Sequence, residues 1–193
     1  MRIIAGEYRG RTLSALGKGD AGAHLRPTTD RVRESLFNVL SGGRFDVDIE
    51  GAQVLDIFAG TGALGFEALS RGAAHVTFIE NGRKGQQLIQ DNAKLLNAQT
   101  NTSLLRVDAT RLPACPDVPA DLVFLDPPYG KSLGEKAIAA ALAQGWIAEG
   151  ALVVWEESAV ITVPDALQFL DQRKYGDSRI TFLENRNSSI LEN

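Results

Sequence analysis

From about residue 50 onward, short apolar runs alternate with stretches of helical period. Val54-Leu-Asp-Ile-Phe58 predicts a strand and Ala63–Arg71 a helix. Val76-Thr-Phe-Ile79 predicts a strand ending on Glu80, followed by a helix from about Arg83 to Asn97. Leu104-Leu-Arg-Val107 predicts a strand ending on Asp108, and Asp121-Leu-Val-Phe-Leu125 the next. A helix over 133–145 leads to the apolar strand Ala151-Leu-Val-Val-Trp155. Two further strand-like runs, Gln168–Lys174 and Arg179–Leu183, flank a turn at Tyr175-Gly-Asp-Ser178. Strand and helix in alternation imply an α/β fold with a mainly parallel, doubly wound sheet. Ligand sites in such a sheet fall at the carboxyl ends of the strands.

The first 50 residues follow another pattern. Arg2-Ile-Ile-Ala5 and Arg11-Thr-Leu13 are strand-like pieces broken at Gly6 and Gly10. Residues 15–27, rich in Gly and Ala and ending at Arg26-Pro27, read as a loop. From Thr28 a helix is predicted, with Val32, Leu36, Val39 and Leu40 at i, i+4, i+7 and i+8 and Gly42-Gly43 as its stop. Arg31, Arg33, Glu34 and Asn38 lie largely off that stripe. Residues 1–27 thus form an extension and loop, and 28–193 the main domain.

Two motifs carry chemistry. Asp126-Pro-Pro-Tyr129 directly follows a predicted strand, which two prolines must end in a stiff loop. Asp126 and the Pro127 carbonyl are acceptors for an NH2 group, and the Tyr129 ring offers a plane for a nucleobase. Alone, the motif is equally an ordinary proline-rich loop with a surface tyrosine. The second motif is Gly60-x-Gly62-x-x-Gly65 between a strand and a helix, with Glu80 positioned to accept from ribose hydroxyls. A dinucleotide would fit that fingerprint too. Asp56 separates the options, because a carboxylate there repels a pyrophosphate and attracts the ammonium and sulfonium of S-adenosylmethionine. Asp108 can accept from an adenine amine. Asp56, Glu80, Asp108 and Asp126 each have a bland reading as strand-end carboxylates, but four on one rim beside a glycine loop point to a site.

Composition narrows the class. The 193 residues, 44% hydrophobic and 23% charged, suit one globular domain. No stretch approaches the ~20 apolar residues of a membrane span, and the first residues lack the apolar core of a signal peptide. A single cysteine, Cys115, excludes an internal disulfide and favours a cytoplasmic setting. His24, His75 and Cys115 have no partners at metal-ligand spacing, so no metal is expected. Phe37, Phe58, Trp146 and Trp155 are assigned to packing, and Asp177 to a turn. Net charge is −4, yet residues 1–33 hold seven cations against three anions. A basic end on an acidic body suits docking to a polyanion.

With these motifs in place, the sequence resembles a class I, Rossmann-like S-adenosylmethionine-dependent methyltransferase. Within that class it is similar to the RsmD type of bacterial 16S ribosomal RNA guanine-N2 methyltransferases. The resemblance rests on Arg26-Pro-Thr-Thr-Asp-Arg-Val-Arg-Glu-Ser-Leu-Phe-Asn-Val-Leu40, supported by Gly6-Glu-Tyr-Arg-Gly-Arg-Thr-Leu13 and Arg173-Lys-Tyr-Gly-Asp-Ser178. One departure is Asn81-Gly-Arg83, where such proteins often carry a second charged residue. The resemblance implies a seven-stranded sheet with its last strand antiparallel and a small N-terminal β-hairpin extension. It implies methylation of a guanine N2 in 16S ribosomal RNA, within a partly assembled small subunit. Apart from the resemblance, no long apolar surface helix is left over, so a monomer is expected. The resemblance also implies catalysis by Asp126, Pro127, Pro128 and Tyr129. Cofactor contacts would come from Asp56, Ala59, Gly60, Thr61, Gly62, Glu80, Asp108 and Ala109, and RNA contacts from Arg9, Arg11, Arg26 and Arg31.

Three rivals remain. An adenine-N6 methyltransferase would use Asp-Pro-Pro-Tyr equally well, but so short a chain has no separate target-recognition domain. A nicotinamide-dependent oxidoreductase leaves Asp56 and Asp-Pro-Pro-Tyr unexplained. A non-catalytic RNA-binding module would not need the intact set of carboxylates, glycines and Tyr129.

Overall fold

The computed structural model describes residues 1–15, 30–129 and 131–186. Arg26, His24 and the first residues of the predicted helix at Thr28 lie outside the described residues. In chain order the elements are α1 (Asp30–Leu40), β1 (Gln53–Ile57), α2 (Ala63–Ser70), β2 (His75–Ile79), α3 (Arg83–Leu95), β3 (Thr102–Leu105), β4 (Ala120–Leu125), α4 (Leu133–Ala143), β5 (Ile147–Glu157), β6 (Leu167–Tyr175) and β7 (Ser178–Asn185). The seven strands form one sheet in the order β3-β2-β1-β4-β5-β7-β6. All pairings from β3 to β5 are parallel, and β7 runs antiparallel to both β5 and β6.

Both faces of the sheet are covered, which is why its strands are nearly continuous apolar runs. Val54, Val76, Leu122, Phe124, Val154 and Phe182 face one side, with Leu36, Phe37 and Leu40 of α1 and with Phe66 of α2. Leu55, Ile57, Val123, Leu125, Val153 and Trp155 face the other, with Ala137, Ile138 and Ala141 of α4. Trp146 and Trp155 are both buried, and the Trp146 indole donates to the Pro113 carbonyl. Gly134 lets α4 lie directly on Trp155: a Cβ there would meet the indole at 2.4 Å.

Several boundaries move from those the sequence predicts. β3 ends at Leu105, so Asp108 is not a strand terminus; it caps a 3-10 turn at Ala109–Arg111. β5 is longer than the apolar run because its pairing with β4 includes an irregularity between Ala120 and Leu122. The N-terminal pieces make a single antiparallel bridge, Arg2 to Thr12. Their register is held by Ile3 N–H to Arg11 O (3.0 Å) and Leu13 N–H to Met1 O (3.0 Å).

The N-terminal turn is fastened to α2. Glu67 accepts from the N–H groups of Ile4 (2.8 Å) and Ala5 (3.1 Å), and the Ser70 hydroxyl accepts from Tyr8 N–H (2.9 Å). Gly6 is required there, since at φ +81° its Cβ would lie 1.7 Å from the Ser70 carbonyl oxygen. Arg33 corrects the sequence reading. It is not off the apolar stripe but fully buried on it, with Leu36, Phe37 and Leu40. Its guanidinium donates to the Arg2 carbonyl and to Asp30, and lies 3.9 Å from Glu67.

Candidate active site

The order of the strands reverses between β1 and β4, and a crevice at that switch point is where an open α/β sheet binds ligands. Both chemical motifs end there. The glycine loop leaves β1 and Asp-Pro-Pro-Tyr leaves β4, its Asp126 N–H reaching the Ile57 carbonyl of β1 at 3.4 Å.

The loop after β1 is bent by positive φ at Phe58 (60°), Gly60 (56°) and Gly62 (77°). For phenylalanine that conformation is strained, and it stops the strand one residue before the apolar run ends. Ala59 N–H ties the loop to the Ile79 carbonyl of β2 at 3.1 Å. Gly65 packs α2 on the sheet: an added Cβ would sit 2.4 Å from the Phe78 ring and 2.7 Å from Val76.

Three side chains fix the loop. Asp56 accepts from Gly65 N–H (3.0 Å). Glu80 accepts from Gly60 N–H (2.9 Å) and Gly82 N–H (2.6 Å). Asn92 of α3 donates to the Thr61 carbonyl (3.1 Å), while its carbonyl accepts from Ser14 N–H (2.7 Å). Thus Asp56 and Glu80 are buried organisers of the loop backbone.

Asp56 and Asp126 are disfavoured in their charged forms. Burial pushes the Asp56 carboxyl up from 3.8 to about 8; the Gly65 hydrogen bond opposes this, and the Glu80 charge adds to it. Asp126 is raised well above its ordinary value by burial, then by Glu156, Asp56 and Glu157. A pocket whose carboxylates repel one another in this way is suited to a cation. Asp108, at the exposed edge, is instead lowered, first by the Thr110 backbone N–H and then by its hydroxyl. Both bonds fall on Oδ1.

Tyr129 is held at its polar tip. Its hydroxyl donates to Glu156 Oε1 (2.9 Å) and shares a 3.0 Å hydrogen bond with Ser178 Oγ. Burial chiefly, and the neighbouring Glu156 and Asp126 charges, raise the phenol above its ordinary value. Ser178 begins β7 directly opposite Tyr175, whose hydroxyl meets Ser35 of α1 at 3.1 Å. The β6–β7 turn therefore touches both the Asp-Pro-Pro-Tyr loop and α1.

The structure gathers Asp56, Ala59, Gly60, Thr61, Gly62, Glu80 and Asp126–Tyr129 around the crevice, with Asp108 and buried Ala109 on the loop after β3. Arg9 and Arg11 are exposed on the N-terminal turn and Arg31 on α1. Sequence reasoning missed Glu156, Ser178 and Asn92. Glu156 did carry a signal, since it directly follows an apolar run just as Glu80 and Asp126 do. Ser178 lay in the Arg173–Ser178 motif without an assigned role, and Asn92 carried no signal. His75 is used within the sheet, bonded to Ser103 (2.9 Å).

Fold and site together define a Rossmann-like methyltransferase. The family described as conserved hypothetical protein 95 matches residues 1–184, and the chain belongs to that family. Among its relatives is ribosomal RNA small subunit methyltransferase D of Escherichia coli (strain K12), 42% identical over 167 residues, covering 85% of this chain and 79% of that protein. "Putative rRNA methyltransferase YlbH" of Bacillus subtilis (strain 168) is 35% identical over 170 residues, covering 86% and 88%. The solved structure titled "Putative methyltransferase yhhF from Escherichia coli" superposes with a TM-score of 0.80 at 37% identity, covering 96% of this chain and 98% of that one.

Proposed function

We propose that this protein transfers a methyl group from S-adenosylmethionine to the exocyclic N2 amine of a guanine in small-subunit ribosomal RNA. The observation that carries the reading is the convergence of Asp126, Pro127 and an anchored Tyr129 beside a glycine loop walled by carboxylates. Membership of a family that includes ribosomal RNA small subunit methyltransferases supports the substrate class. The cluster of repelling carboxylates supports a cationic cofactor without phosphate. That cofactor supplies a methyl group on a sulfonium, an activated leaving group.

Asp56, Glu80 and the loop of Ala59, Gly60, Thr61 and Gly62 would hold it, with Asp108 and Ala109 at the adenine end. Asp126 and the Pro127 carbonyl accept from the two N–H groups of the target amine, drawing its nitrogen toward a tetrahedral, nucleophilic form. Pro128 stiffens the loop between them. On methylation the amine would lose one proton, which Asp126, hydrogen-bonded to it, would accept. Fixing the reacting atoms about 3–3.5 Å apart accounts for much of the rate gain. A target base inside a helix must be flipped out, and stacking on Tyr129, worth roughly 1–3 kcal/mol, offsets that cost.

Arg9, Arg11, Arg26 and Arg31 would hold phosphates without reading sequence. Residues 1–27 serve as the docking extension of a methyltransferase domain spanning 28–193. The enzyme acts as a monomer in the cytoplasm on a small-subunit assembly particle. No helix among the described residues is long and apolar enough to cross a membrane. The test is transfer of labelled methyl to small subunits lacking the modification, followed by nucleoside analysis. Label in N2-methylguanosine, lost with Asp126→Ala, is the expected result; label in N6-methyladenosine would overturn the target atom.

A further inference from the structure

A groove of about 540 Å³ runs between α1 and β6, away from the glycine loop. Arg31, Glu34, Ser35 and Asn38 line one wall, and Arg44 and Arg173 the other. Arg44 and Arg173 turn their Nε atoms to the same oxygen, Asp171 Oδ2, at 3.2 and 3.3 Å. One carboxylate thus gathers two guanidiniums and neutralises only one of them. Each guanidinium carries five N–H donors in a planar fork, more than a shared carboxylate oxygen can satisfy. The pair is a preoriented cationic clamp on a chain whose net charge is −4.

Side-chain and strand contacts link the groove to the crevice. Asp171, Arg173 and Tyr175 alternate along β6 and so share one face. Tyr175 meets Ser35 across the groove, and its partner Ser178 holds the Tyr129 hydroxyl. Arg173 lies two residues from Tyr175, about 7 Å along the strand. A strand of RNA whose target base stacks on Tyr129 would run its neighbouring phosphates down this face. Glu34 repels phosphate at its own position and favours the Arg44–Arg173 side.

We propose that the groove between α1 and β6 binds the phosphodiester backbone of RNA flanking the target base, with Arg44 and Arg173 clamping phosphate and Arg31 extending the track. The proposal rests on the RNA methyltransferase reading and adds its substrate path. Binding of a fluorescent single-stranded RNA to Arg44→Gln/Arg173→Gln is measured against salt, beside methyl transfer to unmodified small subunits. The expected result is a raised KM for subunits, with kcat and S-adenosylmethionine affinity retained. Loss of two phosphate contacts flattens the log–log salt slope by about 1.4. Arg44→Lys/Arg173→Lys restores the slope, which separates charge from folding. An unchanged KM and slope overturn the proposal. A raised KM with an unchanged slope also overturns it, and assigns the groove to a protein of the particle. If the unaltered enzyme transfers no methyl to subunits while the glutamine pair still flattens the slope, the functional reading fails and the groove stands.

Discussion

The Tyr129 hydroxyl donates to Glu156 Oε1 at 2.9 Å, joining the tip of the β4 loop to the end of β5. This bond fixes the plane of the ring proposed to carry the target base. It also sets a carboxylate beside Asp126, so one residue governs both position and charge. Tyr129→Ala should lower kcat/KM for subunits about five- to 150-fold, the equivalent of one stacked base. Tyr129→Phe keeps the ring and loses the tether, and should cost only a small part of that. Steady-state kinetics on the two variants checks the order; equal losses would place the effect in the hydroxyl.

Asp126 must be ionised to accept the amine proton, and burial with Glu156, Asp56 and Glu157 raises its carboxyl. Activity should therefore climb as pH rises toward neutrality and above. Glu156→Gln removes one of the raising charges and retains an acceptor for Tyr129. Its kcat profile should have the acidic limb displaced to lower pH. A limb that stays in place would remove Glu156 from the control of Asp126.

Asp56 makes the cofactor-free protein sensitive to alkali. Its carboxyl is raised from 3.8 to about 8, so the native state binds the proton more tightly than the unfolded chain. The resulting stability is full below the unfolded value and is lost as pH rises from about 4 to about 8. Denaturant midpoints across that range should fall, and Asp56→Asn should flatten the fall. A cationic cofactor favours the ionised carboxylate, so its affinity should increase over the same interval.

Gly65→Ala places a methyl 2.4 Å from the Phe78 ring and 2.7 Å from Val76. Overpacking of this kind costs about 1–3 kcal/mol. Thermal unfolding should fall by several degrees, with cofactor affinity reduced because α2 carries the loop. An unchanged melting temperature would mean that the sheet yields at Phe78.

Glu67→Ala removes a fully buried carboxylate that holds Ile4 N–H, Ala5 N–H and Arg71 and lies near Arg33. Arg33 keeps Asp30 as an ion-pair partner at 3.0 Å, so the loss should fall below the roughly 3–5 kcal/mol of a buried charge left wholly unpaired. Limited proteolysis should then cut first within residues 1–13. Protection equal to that of the unaltered protein would show that Ser70 and the buried Ile3 suffice.

Much of this molecule was legible in order along the chain. Buried parallel strands are apolar on both faces, so β1, β2 and β4 stand out as runs, and strand-end carboxylates mark the rim. β3 was displaced because Leu104–Val107 is the more apolar run, whereas pairing with β2 uses Thr102–Leu105. Arg33 was misplaced because two of its partners, the Arg2 carbonyl and Glu67, are remote in sequence and only the fold brings them to it. The roles of Ser178 and Asn92 were hidden for the same reason: a serine or an asparagine has no marked role until its partner is known. The glycine loop was read correctly as a loop, but Asp56 and Glu80 turn out to shape its backbone.

Asn92 bonds at once to Ser14, 78 positions earlier, and to Thr61, 31 positions earlier. A single amide thereby reports to the ligand loop whether the N-terminal turn is seated. Detachment of that turn would loosen the loop even with every ligand-binding residue intact. Affinity for the small molecule is in this sense a gauge of the whole chain's assembly: an enzyme frayed at its first residues would be poorly charged with its methyl donor before it ever met RNA.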